Sequence, residues 1–182
     1  MASMKFKVDD GGRAEAGFKG TAGDCVCRAV TIASGKPYRE VYKALAQGMG
    51  DQRRSKHVRT TSASARNGVN TRRKWFKDYM QGLGFTWVPT MGIGTGCKVH
   101  LAEGELPPGR LVVAVSRHYT AVVDGVIHDL YDPQREDGGY MFERFPGWET
   151  APLKPGQMRN QNGIYHKVGG RCVYGYWHLT DA

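Results

Sequence analysis

The spacing of apolar residues divides the chain into a helical first half and a strand-rich second half. From Cys25, small and apolar residues recur at Ala29, Ile32 and Ala33, one face of a helix, and Gly23-Asp24 supplies a turn and an N-cap. Gly35-Lys36-Pro37 breaks that helix, and Pro37 suits the first turn of a second. The second helix runs from about Tyr38 to Gln47, turns Val41, Tyr42, Leu45 and Ala46 inward, and ends at Gly48. A third, capped by Asn70 or Thr71, carries Trp75, Phe76, Tyr79, Met80 and Leu83 and stops at Gly84. Residues 5–22 have no periodicity and read as an irregular lead-in; residues 49–70 are polar, basic and small, and read as a loop.

Strand signals follow. Phe85-Thr86-Trp87-Val88 alternates before Pro89, and Leu111-Val112-Val113-Ala114-Val115 is a buried strand after Pro107-Pro108-Gly109. Tyr119-Thr120-Ala121-Val122-Val123 and Val126-Ile127-His128-Asp129-Leu130-Tyr131 form a hairpin about Asp124-Gly125, a dipeptide suited to the left-handed positions of a two-residue turn. Residues 133–170 return to Pro, Gly and polar residues, a surface excursion, and Cys172-Val173-Tyr174-Gly175-Tyr176-Trp177-His178-Leu179 is a last strand rejoining the sheet. Helices first and antiparallel strands afterwards predict one α+β domain spanning residues 1–182.

Composition narrows the partners. No apolar run approaches the roughly 18 residues of a membrane span, and no secretory signal opens the chain, so a cytoplasmic protein without membrane contact is expected. Met1-Ala2-Ser3 before Met4 reads as a vector remnant. Cys25, Cys27, Cys97 and Cys172 are scattered and are expected to be thiols; no C-x-x-C pair is present, so neither a metal site nor a cofactor is expected. Lys and Arg number 26 against 17 Asp and Glu, a formal charge of +9, which favours anionic partners. Arg53, Arg54, Lys56, Arg59, Arg66, Arg72, Arg73 and Lys74 concentrate that charge beside Trp75, Phe76 and Tyr79, giving an alternative reading as a surface for nucleic acid, or for a virion or host protein.

The candidate chemistry begins at Cys25. A cysteine opening a helix meets unpaired N–H groups and the positive end of the dipole, which favour a thiolate and later an oxyanion. In the hairpin, Val123 opposite Val126 puts Thr120 opposite Asp129 and His118 opposite Tyr131. His118 and Asp129 then share a face as diagonal neighbours, whereas Asp132 and His128 point to the other. A histidine oriented by a carboxylate is the base that a cysteine nucleophile needs. Cys25, His118 and Asp129 are thus a candidate triad, set against the plain alternative of a buried cysteine and a polar strand edge.

The order Cys, His, Asp, with the cysteine opening the first helix and the others on later strands, resembles the papain-like cysteine peptidase superfamily. Gly23-Asp24-Cys25-Val26-Cys27-Arg28-Ala29 and His118-Tyr119-Thr120-Ala121-Val122 are similar to elements of ovarian-tumour-type deubiquitinases. Arg66-Asn67-Gly68-Val69 and Cys172-Val173-Tyr174-Gly175-Tyr176-Trp177 resemble uncharacterised papain-like proteins of tailed bacteriophages. The resemblance implies a papain-like fold and a hydrolase of peptides, isopeptides or small amides working through a thioester. Lys19 stands where papain-like enzymes carry an oxyanion-hole Gln, and Ala22 where the deubiquitinase pattern has Asp. The partner to the Cys25 N–H in holding an oxyanion is therefore left open among Lys19, Thr21 and Asp24.

Overall fold

A computed structural model describes residues 3–52, 62–134, 140–153, 157–167 and 170–180. Its frame is a seven-stranded, mostly antiparallel sheet with helices against one face. The run after Pro107-Pro108-Gly109 becomes β4 (Arg110–Val115), followed by β5 (His118–Val123) and β6 (Val126–Asp129). Asp124 and Gly125 both take positive φ, 48° and 78°, and the hairpin pairs Val123 with Val126 and Ala121 with His128, the register expected from the turn. On the other side of β4 lies β10 (Arg171–Leu179), then β2 (Phe85–Pro89), with the short β3 (His100–Leu101) also on β10.

Strand alternation gives the sheet two cores. Val112, Ala121, Phe85 and Trp177 face the helices, while Leu111, Val113, Val115, Val122, Ile127 and Val173 face a second cluster containing Met4 and Leu101. Both faces being covered explains why β4 is a continuous apolar run. The helices are α1 (Cys25–Ser34), α2 (Tyr38–Asp51) and α3 (Lys74–Gly82). Burial of Leu45, Phe76 and Phe85, each at most 1% exposed, contributes about 1.5–3 kcal/mol apiece. At the end of α1, Gly35 takes φ 71° and returns its N–H to the Thr31 carbonyl. Arg110 reaches across from β4 to the last carbonyls, Nε to Ala33 O and Nη2 to Ile32 O, each at 2.6 Å, which fixes the helix on the sheet.

Several expectations are corrected. The lead-in is not wholly irregular: β1 (Lys5–Val8) pairs with β6 in parallel, a long-range pairing with no local turn signal. Met4 beside it is 6% exposed and belongs to the core. The Gly48 break is overridden, because Gly48 is the flat surface on which the Trp75 ring packs, and α2 continues to Asp51. α3 starts at Lys74, as Asn70 is used in a turn that accepts the Arg73 N–H at 3.2 Å. The 133–170 excursion contains a small antiparallel sheet of β7 (Tyr140–Glu143), β8 (Gln157–Asn160) and β9 (Gly163–Lys167) in the order β7-β9-β8. Cys97 and Cys172 are a disulfide, not two thiols, their Cα atoms 5.8 Å apart across 75 residues.

Candidate active site

Three segments of chain meet at Cys25. It opens α1, half-buried, with its backbone N–H ahead of the first helical hydrogen bond, which runs from Arg28 N to Asp24 O. His118 opens β5, where α1 packs against the sheet, and its imidazole contacts the Cys25 sulfur. Asp129 ends β6, 4% exposed, with Oδ2 at 2.6 Å from His118 Nε2. The remaining ring nitrogen, Nδ1, is then the one that serves Cys25. Asp129 Oδ1 accepts the Leu130 N–H at 2.8 Å and lies 3.8 Å from Arg28 Nη2, so both carboxylate oxygens are held. His128, on the opposite face, bonds Asp9 instead at 2.9 Å.

The electrostatics follow from these contacts. Burial pushes the Cys25 thiol up, but hydrogen bonds from His118 and the Tyr119 N–H and the charges of His118 and Arg28 outweigh it, and the thiol is held below its ordinary range. Burial also disfavours a charged His118, yet the hydrogen bonds and negative charges of Asp129 and Cys25 win and raise it to about 9. The neighbouring Cys27 is the reverse case. Fully buried, it is pushed up to about 12 by desolvation, with the negative charge of Asp24 acting in the same direction.

Asp24 occupies the N-cap position of α1, its carbonyl accepting the Arg28 N–H, but its carboxylate makes no bond to the helix N–H groups. It is 1% exposed and accepts from Arg13 Nε at 2.9 Å, from Arg28 and from the Tyr38 hydroxyl. Arg13 also donates to the carbonyls of Phe18 and Lys19, pinning the approach to Cys25. Arg28 therefore spans two carboxylates, one beside the cysteine and one beside the histidine. The i,i+4 spacing of Asp24 and Arg28 was a readable signal for the first contact; Asp129, far along the chain, left none.

Cys25 and His118 open onto a cleft of about 1020 Å³ between α1, α3, the 67–72 segment and the ends of β4, β5 and β10. Lys19, Thr21 and Asp24 do not line it, whereas Gly23 and Asn67 do. The Arg66-Asn67-Gly68-Val69 motif lies against Gly23, with Asn67 Cα 3.7 Å from where a Cβ there would stand, and Arg66 Nη2 holds Thr21 O at 3.0 Å. Trp87 and Tyr174 form part of the opposite wall. Tyr174 sits at a bulge in β10, where the register with β4 shifts between Val173 and Gly175.

The described members of the basic run have different neighbours. Arg66 is committed to Thr21, Lys74 pairs with Asp78 at 2.7 Å, and Arg72 lines the cleft. Arg53, Arg54, Lys56 and Arg59 lie outside the described residues. Trp75, Phe76 and Tyr79 pack into the helical core. Among the described residues no helix is long and apolar enough to cross a membrane, and no cluster of three metal-ligating side chains occurs. No protein-family model, curated protein or solved structure matches the chain.

Proposed function

We propose that this chain is a papain-like thiol hydrolase that cleaves a peptide, isopeptide or small amide bond through a Cys25 thioester. The observation that carries the reading is His118 lying between Cys25 and a fully held Asp129, with the thiol lowered and the imidazole raised. An ion pair of thiolate and imidazolium is the resting state such a site favours. Cys25 Sγ attacks the carbonyl carbon and the electron pair moves to its oxygen. As the tetrahedral species collapses, His118 gives its proton to the leaving nitrogen. Water then attacks the thioester while His118 accepts a proton, releasing the acid and restoring the thiolate. The oxyanion rests on the Cys25 N–H at the start of α1, which no helical hydrogen bond uses.

The test is the pH dependence of iodoacetamide labelling at Cys25, read by peptide mass spectrometry in the wild type and in His118→Ala. Rapid labelling at about pH 6, below the ordinary thiol pKa of about 8.5, and lost in His118→Ala, is expected. Labelling of Cys25 only above about pH 8, and unchanged in the variant, would overturn the reading.

A further inference from the structure

The cleft beside Cys25 carries charge of one sign. Arg72, Lys77 and Arg117 line it, all exposed, and no carboxylate side chain joins them among its described lining residues. None of the three forms an ion pair or a side-chain hydrogen bond to another described residue. They come from separate elements: the loop ahead of α3, α3 itself and the turn between β4 and β5. A concave wall of one sign focuses the field and concentrates the opposite charge at the site.

Arg117 adds an independent observation. It sits at φ 56°, in the left-handed region, immediately before His118. Glycine or asparagine adopts that conformation at less cost, and the next hairpin uses glycine at such a position. A long cationic side chain at a strained position, at the mouth of a cleft, is the pattern expected where the side chain itself is needed. Trp87, which lines the same cleft with Tyr174, is 37% exposed and packs close on Gly175, where a Cβ would fall 2.3 Å from its ring.

From this arrangement we infer that the cleft selects acidic peptide substrates, binding carboxylates near the scissile bond through Arg72, Lys77 and Arg117 and stacking the adjoining chain on Trp87. The inference rests on the hydrolase reading for the bond that is cut, but not for the binding. A peptide fits better than nucleic acid because the three cations surround a nucleophile suited to acyl carbon, in one concave cleft and not along an extended track.

Occupancy is read as protection of Cys25 from iodoacetamide at about pH 7, using a Glu-rich decapeptide, a Gln-rich decapeptide and oligothymidylate of matched charge. Each protection factor is normalised to the same protein without ligand. The Glu-rich peptide is expected to protect roughly tenfold better than the Gln-rich one, with the advantage shrinking as salt rises and disappearing in Arg72→Gln/Lys77→Gln/Arg117→Asn. Arg117→Asn alone, which tolerates the backbone angle, is expected to lose part of it. Equal protection by the two peptides, persistence of the advantage in the triple variant, or protection by oligothymidylate alone would overturn the inference. Slow Cys25 labelling that ignores His118→Ala would instead sink the hydrolase reading while leaving the protection measurement interpretable.

Discussion

His118 Nε2 stands 2.6 Å from Asp129 Oδ2, a diagonal contact across the β5–β6 hairpin that leaves the other ring nitrogen to Cys25. The thiolate is present above the lowered pKa of Cys25 and lost as pH falls through it; the imidazolium is present below about 9 and lost as pH rises through it. Hydrolysis is therefore expected over a window whose basic limb lies near pH 9. Asp129→Asn keeps a hydrogen-bond acceptor but removes the charge that supports the imidazolium. Its basic limb is expected to move down toward 6.5, the ordinary histidine value, with kcat reduced roughly 10²- to 10⁴-fold. A basic limb that stays in place, measured on any cleaved substrate, would show that Asp129 does not set the charge of His118.

Asp24 pairs with two arginines beside the cysteine, Arg13 and Arg28, in a site where its own side chain is fully buried. Asp24→Ala leaves both guanidinium groups and the Tyr38 hydroxyl without that partner. A loss of about 3–5 kcal/mol is expected by urea denaturation, against about 1.5–3 kcal/mol for Tyr38→Phe, which removes one hydrogen bond to a charged group. A loss in Asp24→Ala no larger than that of Tyr38→Phe would show that the buried ion cluster is not holding α1.

Gly175 is where the cleft wall meets the sheet. A Cβ there falls 2.3 Å from the Trp87 ring and 2.9 Å from the Val88 carbonyl, so Gly175→Ala must displace Trp87. A destabilisation of about 1–3 kcal/mol is expected, together with a change in tryptophan fluorescence. Gly82→Ala, at the end of α3 with nothing within 4 Å of its Cβ, is the control and is expected to stabilise by up to about 1 kcal/mol. Thermal melts that rank the two the other way would contradict the packing described for Trp87.

The Cys97–Cys172 bond closes a 75-residue separation and ties the loop before β3 to the start of β10. Replacing both by serine is expected to cost about 2–4 kcal/mol under non-reducing conditions. Adding reductant should bring the wild type down to the same midpoint and leave the variant unmoved. Identical midpoints for oxidised wild type and variant would argue that the two sulfurs are not joined in solution.

What the amino-acid sequence determined by itself was local. The Asp124-Gly125 turn set a two-residue hairpin, and the exact two-residue period of a strand then placed His118 and Asp129 on one face and His128 on the other. The Gly35-Lys36-Pro37 break and the apolar spacing after Cys25 located α1 for the same reason, since caps and periodicity act over a few residues. Long-range closure belonged to the tertiary structure. β1 on β6, the Cys97–Cys172 bond and the bridge from Asp24 through Arg28 to Asp129 each join positions that no local rule relates. The side chain of Asp24, at the N-cap position, was claimed by two arginines and a tyrosine instead of the helix N–H groups. Within the described part of the basic run, helix and loop geometry gives neighbouring residues different partners that the sequence did not indicate: Lys74 meets Asp78, Arg66 meets the Thr21 carbonyl and Arg72 lines the cleft.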